Sequence, residues 1–77
     1  MTVNKKVREI RFSKGITQVH VAKKLGLSVS TYNSYELGRR KINVETLRDI
    51  AAILDEPIEN FFDQDLYETK KSKQEVS

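Results

Sequence analysis

The sequence predicts an all-α protein, a compact bundle of five short helices, and three observations predict it. Apolar residues recur at three- and four-residue spacing rather than in alternation. A Ser, Thr or Asn cap, a flanking apolar pair and a closing turn repeat one after another along the chain. Finally, 77 residues without a cysteine lie near the size at which one apolar core only just suffices, and a helical bundle is the simplest way to close it.

Each helix has its own signals. Val3, Val7 and Ile10 share the first helical face, with Thr2 or Asn4 as N-cap and Gly15 closing the segment in a left-handed conformation. Thr17 caps the second helix, whose stripe is Val21, Ala22 and Leu25 and whose stop is Gly26; Ile16 and Val21 form a hydrophobic staple around the cap. Ser28 caps the third, Leu27 and Tyr32 staple it, Tyr32 and Tyr35 face inward, and Gly38 ends it. Asn43 caps the fourth, Ile42 and Leu47 staple it, and Leu47, Ile50, Ala51 and Leu54 make a strong buried stripe. Asp55 or Glu56 then leads into Pro57, a residue suited to a first helical position, and Ile58, Phe61 and Phe62 make a short fifth helix. Residues 1–63 are expected to form one domain, without a second domain to sense a ligand. Residues 64–77 are polar apart from Leu66, Tyr67 and Val76 and read as a flexible tail.

Composition excludes several function classes. Without cysteine there is neither a disulfide framework nor a thiolate zinc site, and no apolar run approaches a membrane span or a signal-peptide core. The chain reads as cytoplasmic, with no membrane partner. One histidine, no glycine-rich phosphate loop and no paired ligands at metal spacing argue against an enzyme, a cofactor, a metal or a small-molecule ligand. Charge is informative in another way. The net charge is +3, but residues 1–48 carry eleven Lys and Arg against three Asp and Glu, and the remainder carries three against eight. A basic front with an acidic back suits a polyanion partner, although a lopsided solvated surface has the same composition.

The middle of the chain narrows this further. The second and third helices are joined by Gly26, Leu27 and Ser28, a short glycine-containing turn that makes two helices cross steeply as a helix-turn-helix. With that turn, the run ITQVHVAKKLGLSVSTYNSYELGRRKINVETLRDIAAIL resembles the phage-repressor (Cro/cI, Xre-type) helix-turn-helix family, over Val7 to Phe62. The resemblance implies a repressor-like fold and a double-stranded DNA partner, with the second helix across the phosphate backbone and the third in the major groove. It also implies a bacterial or phage origin, and because one recognition helix reads too few base pairs, a homodimer on an inverted-repeat operator is expected.

The third helix supports that implication independently. Between Leu27 and Tyr35 it has no charge, in a chain that is 32% charged. On a helical wheel Ser30, Asn33, Ser34 and Leu37 lie opposite Tyr32 and Tyr35, with Val29 at the edge. A solvent-facing helix would favour Lys, Glu and Arg, whereas Ser and Asn are poor helix formers. Short side chains allow close approach to base edges, and an Asn amide can present a donor and an acceptor together to adenine. Val29, Ser30, Asn33 and Ser34 are therefore the candidate base readers; the alternative is an ordinary, weak surface helix.

Phosphate contacts are expected from Thr17, Gln18 and Ser28 at helix N-termini, where free amides favour an anion, and from Arg39, Arg40 and Lys41 in the loop after the third helix. The Gln18 side chain is expected to donate to the same phosphate oxygen as its amide. Of Lys5, Lys6, Lys14, Lys23 and Lys24, no more than two are expected to touch DNA. Glu36 is an acid beside a basic cluster. Either it balances Arg39 and Arg40 locally or, as the resemblance implies, it pairs with Arg11 and fastens the first helix to the third.

Departures from the family pattern affect the operator sequence more than the mode of binding. His20 stands where relatives usually have an acid, Val29 where many carry Gln or Arg, and Tyr32 exceeds the usual aliphatic residue. Leu37 is apolar on an exposed face. Ile58, Phe61 and Phe62 offer more apolar surface than a short helix buries alone and are the expected dimer interface, with one phenylalanine closing the monomer core. The rival function is an antitoxin or coactivator-like protein-interaction module on the same scaffold. Acids on the third-helix face would suit that rival, and none is present at Ser30, Asn33 or Ser34.

Overall fold

The computed structural model describes residues 2–62. Within them the chain forms four α-helices, α1 (Val3–Ser13), α2 (Gln18–Leu25), α3 (Val29–Glu36) and α4 (Val44–Leu54), followed by one 3-10 turn, Ile58–Phe61. No strand occurs among the described residues. The tail expected at 64–77 lies outside them.

Side-chain caps set each helix start. Thr2, Thr17, Ser28 and Asn43 all have extended backbone, and each accepts from the amide three residues on. Asn4, the other cap considered for α1, is helical and works elsewhere. The three glycines all have positive φ, and Gly26, at φ 73°, turns α2 directly toward α3. Asp55 closes α4 at φ 53° without being a glycine, a conformation that aspartate tolerates better than most residues.

The fifth element is a correction. Ile58–Phe61 is a single 3-10 turn rather than a fifth α-helix. Pro57 has extended ψ, so it stands outside the turn instead of opening a helix. The four residues that follow are too few to pay back the unfavourable nucleation of an α-helix.

The core is one cluster drawn from every element: Val7, Val21, Ala22, Tyr32, Leu47, Ile50, Ala51, Leu54 and Phe61. The α4 stripe is its largest contribution. Tyr35 is only half-buried, packed against the cluster rather than within it. α2 packs on α3 and α4, while α1 packs on α3, α4 and the 3-10 turn. Consequently α3 sits at the side of the bundle, with its inner edge against α1 and α2 and its outer edge uncovered.

Candidate nucleic-acid interface

The inner edge of α3 is held by charge as well as by apolar contact. Arg11 Nε donates to Glu36 Oε2 at 2.6 Å and Arg11 Nη2 to Glu36 Oε1 at 3.1 Å, a fork in which the two side chains are 8% and 1% exposed. The remaining guanidinium nitrogen, Nη1, donates to the Ile16 carbonyl at 2.7 Å. Burial disfavours the Glu36 charge, but hydrogen bonds led by that from Arg11 outweigh it and hold the carboxyl below the usual glutamate range. Glu36 thus lies inside the joint, and no ion pair joins it to Arg39 or Arg40 among the described residues.

Gln18 extends this joint to the outer edge. Its Nε2 donates to Glu36 Oε1 at 2.9 Å and to Asn33 Oδ1 at 2.8 Å, so both amide protons are engaged within the protein. The main-chain amide of Gln18, in the first turn of α2, precedes the first intrahelical bond and faces outward from the helix N-terminus. The side-chain protons of Gln18 are thus engaged within the protein, and its main-chain amide is left at the helix N-terminus.

The candidate base readers lie together on the outer part of α3. Ser30 is exposed, Val29 is 39% exposed, and Asn33 and Ser34 are half-buried. Ser34 is less available than the wheel suggests, since its hydroxyl donates to the Thr31 carbonyl at 2.5 Å. Ser28 is committed to capping: its Oγ accepts from the Thr31 amide and donates to the Thr31 hydroxyl. Thr17 likewise accepts from the amide of His20.

The loop after α3 has a fixed backbone and exposed side chains. The amides of Arg39 and Arg40 both donate to the Ser34 carbonyl, at 2.9 and 3.2 Å. Asn4 Nδ2 donates to the Tyr35 and Arg40 carbonyls, at 2.7 and 3.0 Å, and so ties α1 to the end of α3 and the loop beyond it. Arg39, Arg40 and Lys41 are exposed, and none enters an ion pair among the described residues. Of the scattered lysines, Lys14 is turned elsewhere, donating to the Asp55 carbonyl at 2.9 Å and pairing with Glu56 at 3.0 Å.

Two contributors escape a reading from sequence. Asn4 resembles a simple cap, and its long-range bonds leave no local signal. Phe12 is 63% exposed, yet its ring lies 4.9 Å from the Arg11 guanidinium carbon and 5.6 Å from that of Arg8, covering the joint with a cation–π contact. Tyr32 is fully buried beneath α3, burial pushes its phenol well up, and its hydroxyl makes no well-formed hydrogen bond among the described residues. At the other end of the molecule Phe61 belongs to the core at 0% exposure, so of the three residues expected at a dimer interface only Ile58 and Phe62 offer surface; Phe62 is 49% exposed.

Among the described residues no group of His, Cys, Asp or Glu is clustered as a metal site, and no helix is long and apolar enough to cross a membrane. What the geometry offers is a shallow polar helix face, two helix N-termini and a basic loop on a rigid support.

Comparison with known proteins agrees with that description. The pattern of a helix-turn-helix family matches residues 5–61. An uncharacterized transcriptional regulator in the ATPase CF(0) region of Rhodospirillum rubrum is 37% identical over 60 residues, covering 78% of this chain and 56% of that protein. The uncharacterized HTH-type transcriptional regulator YqaE of Bacillus subtilis (strain 168) is 41% identical over 49 residues, 64% of this chain and 42% of that protein. The chain thus spans about half the length of these curated relatives.

Proposed function

This chain belongs to the phage-repressor (Xre-type) helix-turn-helix family, and from that premise we propose that it is a sequence-specific, double-stranded DNA-binding transcriptional repressor. It binds an inverted-repeat operator as a homodimer, with α3 in the major groove and α2 across the phosphate backbone. The observation that carries this reading is the outer face of α3, short-chained and uncharged, held rigidly on the Arg11–Glu36 joint and followed by three exposed cations. Val29, Ser30, Asn33 and Ser34 face base edges. The N-termini of α2 and α3 and the side chains of Arg39, Arg40 and Lys41 meet phosphates.

Dimerisation follows from arithmetic of recognition. One short helix reads too few base pairs to discriminate an operator from a genome, and a two-fold axis doubles the reading. Ile58 and Phe62 supply the exposed apolar surface near such an axis.

The test is a titration of the protein on its selected site and on a scrambled duplex. Asn33→Ala is expected to cost about 1–3 kcal/mol on the selected site, relax preference at one base position and leave the scrambled duplex unaffected. Two chains are expected per inverted repeat. A sequence-blind Asn33→Ala would favour the antitoxin or coactivator-like module instead.

A further inference from the structure

We infer that Gln18 is a positioning residue that fixes the polarity of Asn33, so that this side chain offers hydrogen-bond donors to the groove and selects guanine. The inference rests on the reading of α3 as a major-groove helix.

The argument is a chain of donors and acceptors with one free end. Arg11 can only donate, and it occupies Glu36 through Nε and Nη2. Glu36 is ionised, its carboxyl held below the usual range, so it can only accept. The limb of the Gln18 amide that meets Glu36 Oε1 at 2.9 Å must therefore be the Nε2 side, because the opposite orientation would set two acceptors against each other. With that limb fixed, its second proton points to Asn33 at 2.8 Å, and the Asn33 atom receiving it must be Oδ1. An amide that is symmetrical in shape is thereby given a direction. Oδ1 is drawn inward to α2, and Nδ2, with two protons, is the limb left for the groove.

That direction has a meaning in bases. Guanine presents two adjacent acceptors, N7 and O6, in the major groove, whereas adenine presents an acceptor beside a donor. The familiar pairing of asparagine with adenine needs the amide oxygen and nitrogen level with the base edge. Here the oxygen is turned toward Gln18, and the Nδ2 donor facing the acceptor edge of N7 and O6 is the better match. The same geometry removes the Gln18 side chain from the phosphate contacts, since both of its protons are already used.

The experiment uses the full chain and a site selected from randomised duplexes, with all four base pairs then placed at the position whose preference Asn33→Ala abolishes. Wild type is expected to prefer guanine over adenine there by roughly tenfold. Gln18→Met removes the tether with little change in volume, and it is expected to bring that ratio toward one, because the freed amide can turn and pair with adenine. Loss of a phosphate contact would instead weaken every sequence alike and leave the guanine-to-adenine ratio unchanged. Circular dichroism establishes that the variant is folded; should Gln18→Met not fold, Gln18→Ala makes the same comparison. Adenine preference in wild type, an unchanged ratio in the Gln18 variants, or uniform weakening on all duplexes would each overturn the inference while leaving α3 in its groove. If Asn33→Ala abolishes preference at no position, the reading of α3 fails, and the inference fails with it.

Discussion

α3 and α4 are fastened to the same core by opposite means. α4 inserts Leu47, Ile50, Ala51 and Leu54, all at most 5% exposed, without a buried charge. α3 inserts Tyr32 and Glu36, and its hold depends on a buried fork from Arg11 backed by Gln18 and Asn4. The difference follows from what each helix must leave outside. α4 can give its apolar side to the core and its charged side, Glu45, Arg48 and Asp49, to water. α3 is eight residues long, six of them Ser, Thr, Asn or Tyr with low helix propensity, too short to stand alone, and its outer face is kept free of charge. A polar joint gives it a fixed rotation and register that a smaller apolar stripe would leave loose.

The largest effect is expected from breaking the joint on one side. Arg11→Ala leaves a buried carboxylate without its fork and the Ile16 carbonyl without its donor. Such a loss costs about 3–5 kcal/mol, against a total of about 5–15 kcal/mol for a domain. Urea unfolding measures it. Combining Arg11→Met with Glu36→Gln removes both charges while keeping an acceptor for Gln18, and it is expected to recover most of the stability. If the double variant were as unstable as Arg11→Ala, the joint would contribute through shape alone, and α3 would be held much as α4 is.

The α4 counterpart is Leu54→Ala, expected to cost about 2–5 kcal/mol through lost burial and the cavity left behind. pH separates the two losses. Glu36 has a folded pKa below its unfolded value of about 4.3, so its contribution is complete above that value and is lost as pH falls through the lower, folded one. Glu56 is shifted the same way at the surface, by Asn60 and then Lys14. Leu54→Ala is therefore expected to track the wild-type acid profile at a constant offset. Arg11→Ala is expected to lose most of that acid dependence, because an unpaired buried carboxyl no longer favours its charged form.

The same contrast explains how much could be read in the sequence. Apolar periodicity and caps are local, so α4 and the starts at Thr17, Ser28 and Asn43 were legible down to the residue. The helix-turn-helix was legible because Gly26 and Ser28 mark its turn within three residues. Contacts between residues far apart in sequence leave no such mark: Asn4 reaching Tyr35 and Arg40, and Gln18 reaching Asn33 and Glu36, follow only once α1, α2 and α3 are assembled. Ile58–Phe61 has helical spacing, but spacing over four residues does not distinguish one 3-10 turn from an α-helix. Asp55 shows the limit of the glycine rule, since a tolerant residue took a position where the sequence offers no glycine.

The smallest effect is expected outside both helices, in the loop between them. Arg39 and Arg40 have backbones fixed by the Ser34 and Asn4 hydrogen bonds, while their side chains are exposed and outside any ion pair among the described residues. Replacing either with Gln therefore removes a charge without disturbing a contact that supports the fold, and thermal unfolding is expected to be unchanged. On DNA the consequence differs from that of Asn33→Ala. A cation that neutralises a phosphate releases condensed counterions, so its loss makes log K depend less steeply on log salt, by about one unit per contact. Selected and scrambled duplexes are expected to weaken by the same factor, because a phosphate has no sequence. Titrations at several salt concentrations decide between a phosphate contact and a spectator charge: an unchanged slope would mean that the loop stands clear of the backbone and that the proposed phosphate contacts of Arg39 and Arg40 are wrong.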